Sequence, residues 1–253
     1  MLFNSFWKHL LVNKIISKLA NIPSVLTFYQ QNILRGKFMF SSKYPYSQLE
    51  DLKFKGTTTV GVICEEGVVL GTDTRVTMGY FIAHKHGKKV YKIDDHLAIT
   101  IAGVVADAQN VVDILKANVA LFKLVNGRPI TVNAAARLAA NLLFRSRYFP
   151  LVLQAIIAGI DDEGPHIFSL DPFGSLTEEK KFFATGSGSP IALGILEDGY
   201  KDGLTIKEAI PLVVRAIKAA MKRDTASGDS FDVSVVTKDG YRELSEEEKQ
   251  KYG

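Results

Sequence analysis

Apolar and polar positions alternate from Thr58 to Cys64, and a second β-rich run follows from Val68 to Thr72, with Glu65-Glu66-Gly67 between them. A two-residue period is that of a strand with one buried face, and a short charged break containing glycine joins such a pair as a hairpin. Val76 to Ile82 reads as extended, and His84-Lys85-His86-Gly87-Lys88 as a polar turn. Tyr91–Ile93 and Leu97–Ala102 give two further strands, joined at Asp94-Asp95-His96. The period then changes. Val105, Ala108, Val112, Leu115, Val119 and Phe122 fall at helical spacing within Val104–Leu124, which Asn126-Gly127 stops. Thr131 is placed to cap a second helix carrying Ala135, Leu138, Ala139, Leu142 and Leu143 on one face and running to about Tyr148, before Pro150. Leu151–Ile160 and His166–Leu170 predict a pair of strands around the turn at residues 161–165, and Lys181–Thr185 a short one. Gly186-Ser187-Gly188-Ser189-Pro190 leads into a short helix near Ile191–Leu196. Thr205 caps a helix from Ile206 to Lys222. Phe231–Val236 is a last strand, and the acidic tail from Glu243 reads as solvated.

Tight turns between neighbouring strands imply antiparallel pairing, and amphipathic helices need a sheet face to bury against. The expected fold is therefore α+β: two antiparallel sheets packed face to face between helix pairs, as one domain over residues 57–253. Residues 1–56 differ in kind. They carry eight basic and two acidic residues, +6, whereas the other 23 basic and 25 acidic residues leave the domain at −2. The overall charge of +4 thus belongs to the leader, and the slightly acidic body gives no basic footprint for nucleic acid. Lys-interleaved apolar residues suggest a basic amphipathic helix to about Ala20, broken at Pro23, with a membrane-surface role as one reading of it. Lys14 and Lys18 interrupt any secretory apolar core, and no run is long enough to span a bilayer. Met39 is an alternative start, which would leave a polar leader from Met39 to Gly56. A single cysteine, Cys64, excludes an internal disulfide and a multi-cysteine metal site.

The candidate chemistry begins where the two parts meet, at Gly56-Thr57-Thr58-Thr59. A cut after Gly56 would leave Thr57 with a hydroxyl nucleophile and a free amine on one residue, a base beside a weak nucleophile. The triplet also suits a plain strand. Gly71-Thr72-Asp73-Thr74-Arg75 places a carboxylate and a guanidinium at a strand end, where they would form a surface ion pair or serve a site. Lys88-Lys89 is either a solvated face or a pair with one lysine turned inward to Asp73, where its charge would lower the pKa of the Thr57 hydroxyl. Gly103 is either an ordinary strand–helix junction or a place where a backbone N–H can closely approach a substrate. Gly186-Ser187-Gly188-Ser189 lacks the Lys-Ser/Thr of a phosphate loop. Arg223-Asp224-Thr225-Ala226-Ser227-Gly228-Asp229 is a connector, or a source of a carboxylate and a hydroxyl. His84 and His86 have no further metal ligands clustered with them, and there is no Gly-x-Ser-x-Gly elbow.

In their order and spacing, Gly56–Gly61, Gly71–Arg75, Lys88-Lys89-Val90, Ala102-Gly103 with Ala106-Asp107, Gly186–Gly188, and Arg223-Asp224 with Ser227–Asp229 resemble the archaeal-type proteasome β subunit of the N-terminal-nucleophile hydrolases. The match spans Thr57–Val236; the leader has no counterpart. The resemblance implies a four-layer αββα sandwich and a threonine endopeptidase zymogen that cleaves itself after Gly56. It implies Thr57 as nucleophile and base, Lys89 held by Asp73 as its tuner, and the Gly103 N–H as oxyanion donor. Ser187, Asp224 and Ser227 would position the amine and a water. Val76, Ile101 and Val105 would line the pocket for the residue before the cut, and being apolar they imply cleavage after hydrophobic residues. No cofactor or metal is implied. The implied partners are α subunits and other β subunits in stacked seven-membered rings, a regulatory ring ATPase, and unfolded polypeptides in the cytoplasm, with neither nucleic acid nor membrane. A non-catalytic or conditionally processed ring subunit is the alternative.

Overall fold

The computed structural model describes residues 56–252; the expected leader helix and the Met39 start lie outside them. The alternating runs form the hairpin β1 (Thr58–Ile63) and β2 (Gly67–Asp73), with Thr59 opposite Thr72. Next come β3 (Val76–Met78), β4 (Phe81–His84), β5 (Val90–Asp94) and β6 (Leu97–Gly103). Helices α1 (Val105–Asn126) and α2 (Val132–Arg145) lead to β7 (Leu153–Asp161), β8 (Gly164–Leu170), β9 (Leu176–Glu179) and β10 (Phe182–Gly186). Helices α3 (Ser189–Gly199) and α4 (Ile206–Met221) precede β11 (Phe231–Thr237), β12 (Gly240–Glu243) and the short α5 (Glu246–Gln250).

Two five-stranded antiparallel sheets result, ordered β10-β1-β2-β11-β12 and β5-β6-β7-β8-β9, with β3-β4 as a separate ribbon. Three apolar clusters show why they stack. One lies between the sheets, where Val68 and Leu70 of β2 meet Ile156 and Ala158 of β7. A second joins the inner faces of α1 and α2, including Leu115, Ala139 and Leu143, to Ile99 and Ile157. The third packs Val213 and Ile217 of α4 and Leu196 of α3 on Val60, Val69 and Val233. Each sheet is thus covered on both faces, giving the four layers that the pattern predicts.

Four local expectations need correction. Val76–Ile82 is not one extended run: it turns at Gly79-Tyr80, with Met78 opposite Phe81. The helix expected near Ile191–Leu196 is α3, 11 residues long. β9 escapes the pattern because Leu176 is its only apolar residue. Its acidic side chains are held by β8 instead, Glu178 by His166 and Glu179 by the Ser169 hydroxyl at 2.7 Å. The acidic tail is not simply solvated. It forms β12 against β11 and then α5, whose Ser245 and Glu248 cap one another's backbone and whose Lys249 reaches Asp232 at 2.7 Å.

Candidate active site

Thr57 stands just before β1, and four strand ends meet around it. Thr58 lies opposite Gly186 at the end of β10. Asp73 ends β2, Lys89 precedes β5, and Gly103 ends β6. The Ile101 N–H donates to the Lys89 carbonyl at 3.0 Å, fixing the backbone from which the lysine projects.

The lysine pair divides as one of its two readings requires. The Lys88 side chain is 54% exposed and bridges to Glu243 at 2.6 Å; the Lys89 side chain is 7% exposed and bridges to Asp73 Oδ1 at 2.8 Å. Asp73 is fully buried. It also accepts the Thr58 N–H at 2.8 Å, the Arg75 N–H at 3.1 Å and the Gly228 N–H at 3.0 Å. Burial pushes the Asp73 carboxyl up and the Lys89 ammonium down, and their mutual attraction opposes both shifts. The three backbone N–H groups and the lysine favour the carboxylate form of Asp73, and Lys89 Nζ has one further contact, donated to the Gly56 carbonyl oxygen at 3.3 Å.

The Thr57 hydroxyl donates to that same Gly56 oxygen. The Thr57 N–H points at Ser187 Oγ, 3.5 Å away. The Ser187 and Ser227 hydroxyls each donate to Asp224 Oδ2 at 2.6 Å, and Thr58 Oγ1 lies 2.7 Å from Ser227 Oγ. With the serine protons directed to Asp224, Ser187 is left as an acceptor for Thr57, and Ser227 as one for Thr58. Gly56 and Gly103 have positive φ, 100° and 146°, and neither has room for a side chain: a Cβ would strike the Thr77 hydroxyl at Gly56 and the Val152 carbonyl at Gly103.

A cleft of about 570 Å3 opens beside Thr57 and Lys89. Val76, Ile101 and Val105 all line it, together with Gly103 and Thr77. The expected site residues thus lie close together: Gly56, Thr57, Asp73, Lys89, Gly103, Ser187, Asp224 and Ser227 around the Gly56–Thr57 junction, and Val76, Ile101 and Val105 in the adjoining cleft. Arg75 does not pair with Asp73 through its side chain. Its guanidinium bridges Asp229 at 2.8 Å and donates to the Thr225 carbonyl, tying the 223–229 loop to β2. Sequence reasoning missed the contact of the Thr58 hydroxyl with Ser227, because nothing in a threonine triplet marks which hydroxyl faces a serine. The Arg75–Asp229 link carried a faint signal, since a loop aspartate next to glycine is suited to the positive φ, 65°, that Asp229 adopts. Among the described residues no helix is long and apolar enough to cross a membrane, and no group of His, Cys, Asp and Glu could hold a metal.

The chain is similar to known proteins over this region. A family model described as "Proteasome subunit" matches residues 53–236. The proteasome subunit beta of Methanothermobacter thermautotrophicus is 52% identical over 198 residues, 78% of this chain and 94% of that protein. The proteasome subunit beta of Methanocaldococcus fervens is 50% identical over 78% of this chain and 88% of that protein, and that of Methanosarcina mazei 48% over 78% and 94%.

Proposed function

The chain belongs to the proteasome subunit family, and from that premise we propose that it is a catalytic β subunit of the core particle: a threonine endopeptidase that frees its own nucleophile by cutting after Gly56. The observation that carries this reading is the convergence on one carbonyl. The Thr57 hydroxyl and the Lys89 ammonium both touch the Gly56 oxygen, at the bond whose scission would leave Thr57 first.

The chemistry follows from those contacts. The Thr57 oxygen attacks the Gly56 carbonyl carbon, closing a five-membered ring, and Lys89 faces the negative charge developing on the carbonyl oxygen. Collapse breaks the C–N bond, the proton given up by the hydroxyl passes to the Thr57 nitrogen, and an ester is left on the Thr57 oxygen. Water then hydrolyses that ester, releasing the leader with a Gly56 carboxylate and leaving a free Thr57 amine. In peptide hydrolysis the same hydroxyl attacks a substrate carbonyl, and the amine takes its proton, through a water held by Ser187, Ser227 and Asp224. The Gly103 N–H supports the oxyanion, and the leaving amine departs with a proton. A second water hydrolyses the acyl-enzyme. Lys89, anchored by Asp73, keeps a positive charge near the hydroxyl and favours its alkoxide. Apolar Val76, Ile101 and Val105 favour a hydrophobic residue before the cut. Chain groups and water supply every step.

We further read the partners as α subunits and other β subunits in stacked seven-membered rings, fed by a ring ATPase with unfolded polypeptides in the cytoplasm. Intact-mass measurement and N-terminal sequencing of the assembled particle test the reading. Thr57 is the expected first residue. Retention of residues 1–56 or 39–56 in every assembly overturns it in favour of a non-catalytic ring subunit.

A further inference from the structure

The site is assembled from both sheets. Thr57, Asp73 and Ser187 stand at the ends of β1, β2 and β10 of one sheet, whereas Lys89 and Gly103 stand at the ends of β5 and β6 of the other. Lys89 has its own tie across the seam, the bridge to Asp73. Near Gly103 the seam is crossed by hydroxyls. Thr100 of β6 donates to Thr59 Oγ1 of β1 at 3.1 Å, and Thr59 Oγ1 lies 2.6 Å from Thr185 Oγ1 of β10, its cross-strand neighbour. Thr59 and Thr100 are fully buried and Thr185 nearly so. Thr100 is itself paired with Val90 and Ile156, both in the apolar cluster between the sheets. Valine has the shape of threonine, suits a strand as well and needs no partner in such an interior. Apolar contacts tolerate sliding, whereas a hydrogen bond holds two oxygens at one separation and direction. Thr59 is two residues from Thr57, Thr185 two from Ser187, and Thr100 three from Gly103.

We propose that Thr59, Thr100 and Thr185 are positioning residues of the proposed peptidase. Their hydroxyl chain joins the three strands that deliver Thr57, Gly103 and Ser187, and it sets the separation between the Thr57 hydroxyl on one sheet and the Gly103 N–H on the other. Among the described residues that line the cleft, none of the three occurs. The chain therefore acts on the reacting groups and not on the side chains of the substrate. A donor to the oxyanion matters most as charge develops, so a displaced Gly103 lowers kcat and leaves KM in place. The Thr59 oxygen accepts from Thr100, which leaves its own proton for Thr185. Loss of the Thr100 hydroxyl thus cuts the link between the sheets and still leaves Thr59 paired. The inference rests on the proposed peptidase at Thr57.

The test compares assembled wild-type particle with Thr100→Val, which keeps the shape and removes the hydroxyl, and Thr100→Ser, which keeps the hydroxyl. With a fluorogenic peptide carrying leucine before the reporter, Thr100→Val is expected to lower kcat about tenfold with KM unchanged, the scale of a slight misplacement of a reacting group. Thr100→Ser is expected to stay within about twofold of wild type. Intact mass reads the first cut in the same particles. Retention of the leader in Thr100→Val but not in Thr100→Ser is the same loss seen one step earlier and supports the inference. Should Thr100→Val not assemble, Thr59→Val, Thr100→Val and Thr185→Val combined, which strand no hydroxyl, carry the same expectation. Wild-type kcat in Thr100→Val or in the combined variant, a loss through KM, or equal losses in the Val and Ser variants overturns the inference while leaving the proposed peptidase standing. A wild-type particle that keeps its leader or cleaves no peptide overturns both.

Discussion

At the scale of the residue, the site is a set of donors arranged around two oxygens, and single substitutions separate their roles. Thr57→Ala removes the proposed nucleophile and is expected to abolish both leader removal and peptide cleavage; intact mass and a fluorogenic peptide assay read the two losses. Lys89→Ala is expected to lower kcat/KM by at least about a hundredfold, the scale of losing a preorganised charged donor. It also strands the fully buried Asp73 carboxylate, at a cost of roughly 3–5 kcal/mol in stability. The double variant Lys89→Ala/Asp73→Ala is expected to regain little of that stability in a denaturant titration and none of the activity, because the Thr58, Arg75 and Gly228 N–H groups also lose their acceptor. Cys64 illustrates burial without a role in the site. Its surroundings push the thiol up to about 12. Folded protein is expected to resist iodoacetamide at pH 8, and unfolded protein to react. Below pH 9.0, where the unfolded thiol is also protonated, the group does not change stability with pH. Between 9.0 and about 12 the unfolded chain alone gives up its proton, so stability falls across that window.

At the scale of the element, β2 and α4 set how closely the outer layer approaches the sheet. A Cβ at Gly71 would strike Val213 and Ile217 of α4, so the glycine is a contact surface for the helix. Gly71→Val is expected to push α4 outward and cost roughly 1–3 kcal/mol by the usual penalty of overpacking, read as a lower denaturation midpoint. The elements that the sequence made legible are those whose burial shows as a period: the β1–β2 hairpin, α1, α2, α4 and β11. Those it hid are held by polar side chains. β9 depends on Glu178 and Glu179 meeting His166 and Ser169, and α5 on Ser245 and Lys249 finding partners. No apolar period marks such elements, because the contacts that hold them come from other strands. The site divides in the same way. Asp73, Lys89 and Gly103 were legible as residue types at strand ends. The hydroxyl of Thr58 was not, since its significance lies in which neighbour it faces.

At the scale of the whole molecule, the inner layers are closed and the outer surface is not. Leu121, Leu124 and Val125 of α1 fall at i, i+3, i+4 spacing and are 53%, 82% and 50% exposed. A continuous apolar stripe facing water marks a surface that a neighbour covers, which accords with a family that assembles. Leu124→Glu is expected to leave the circular dichroism spectrum unchanged and to shift the protein to smaller species in size-exclusion chromatography with light scattering. The contact between the Thr57 hydroxyl and the Gly56 oxygen has a kinetic corollary. Attacker and target are adjacent in one polypeptide, so the proposed first acyl transfer is a unimolecular event in which no second molecule takes part. Within preformed particles, its half-life is then the same at any dilution. A time course slowed by dilution would mean that a chain of another particle delivers the hydroxyl or the bond. On the proposed route every particle ripens on its own clock, however few particles surround it.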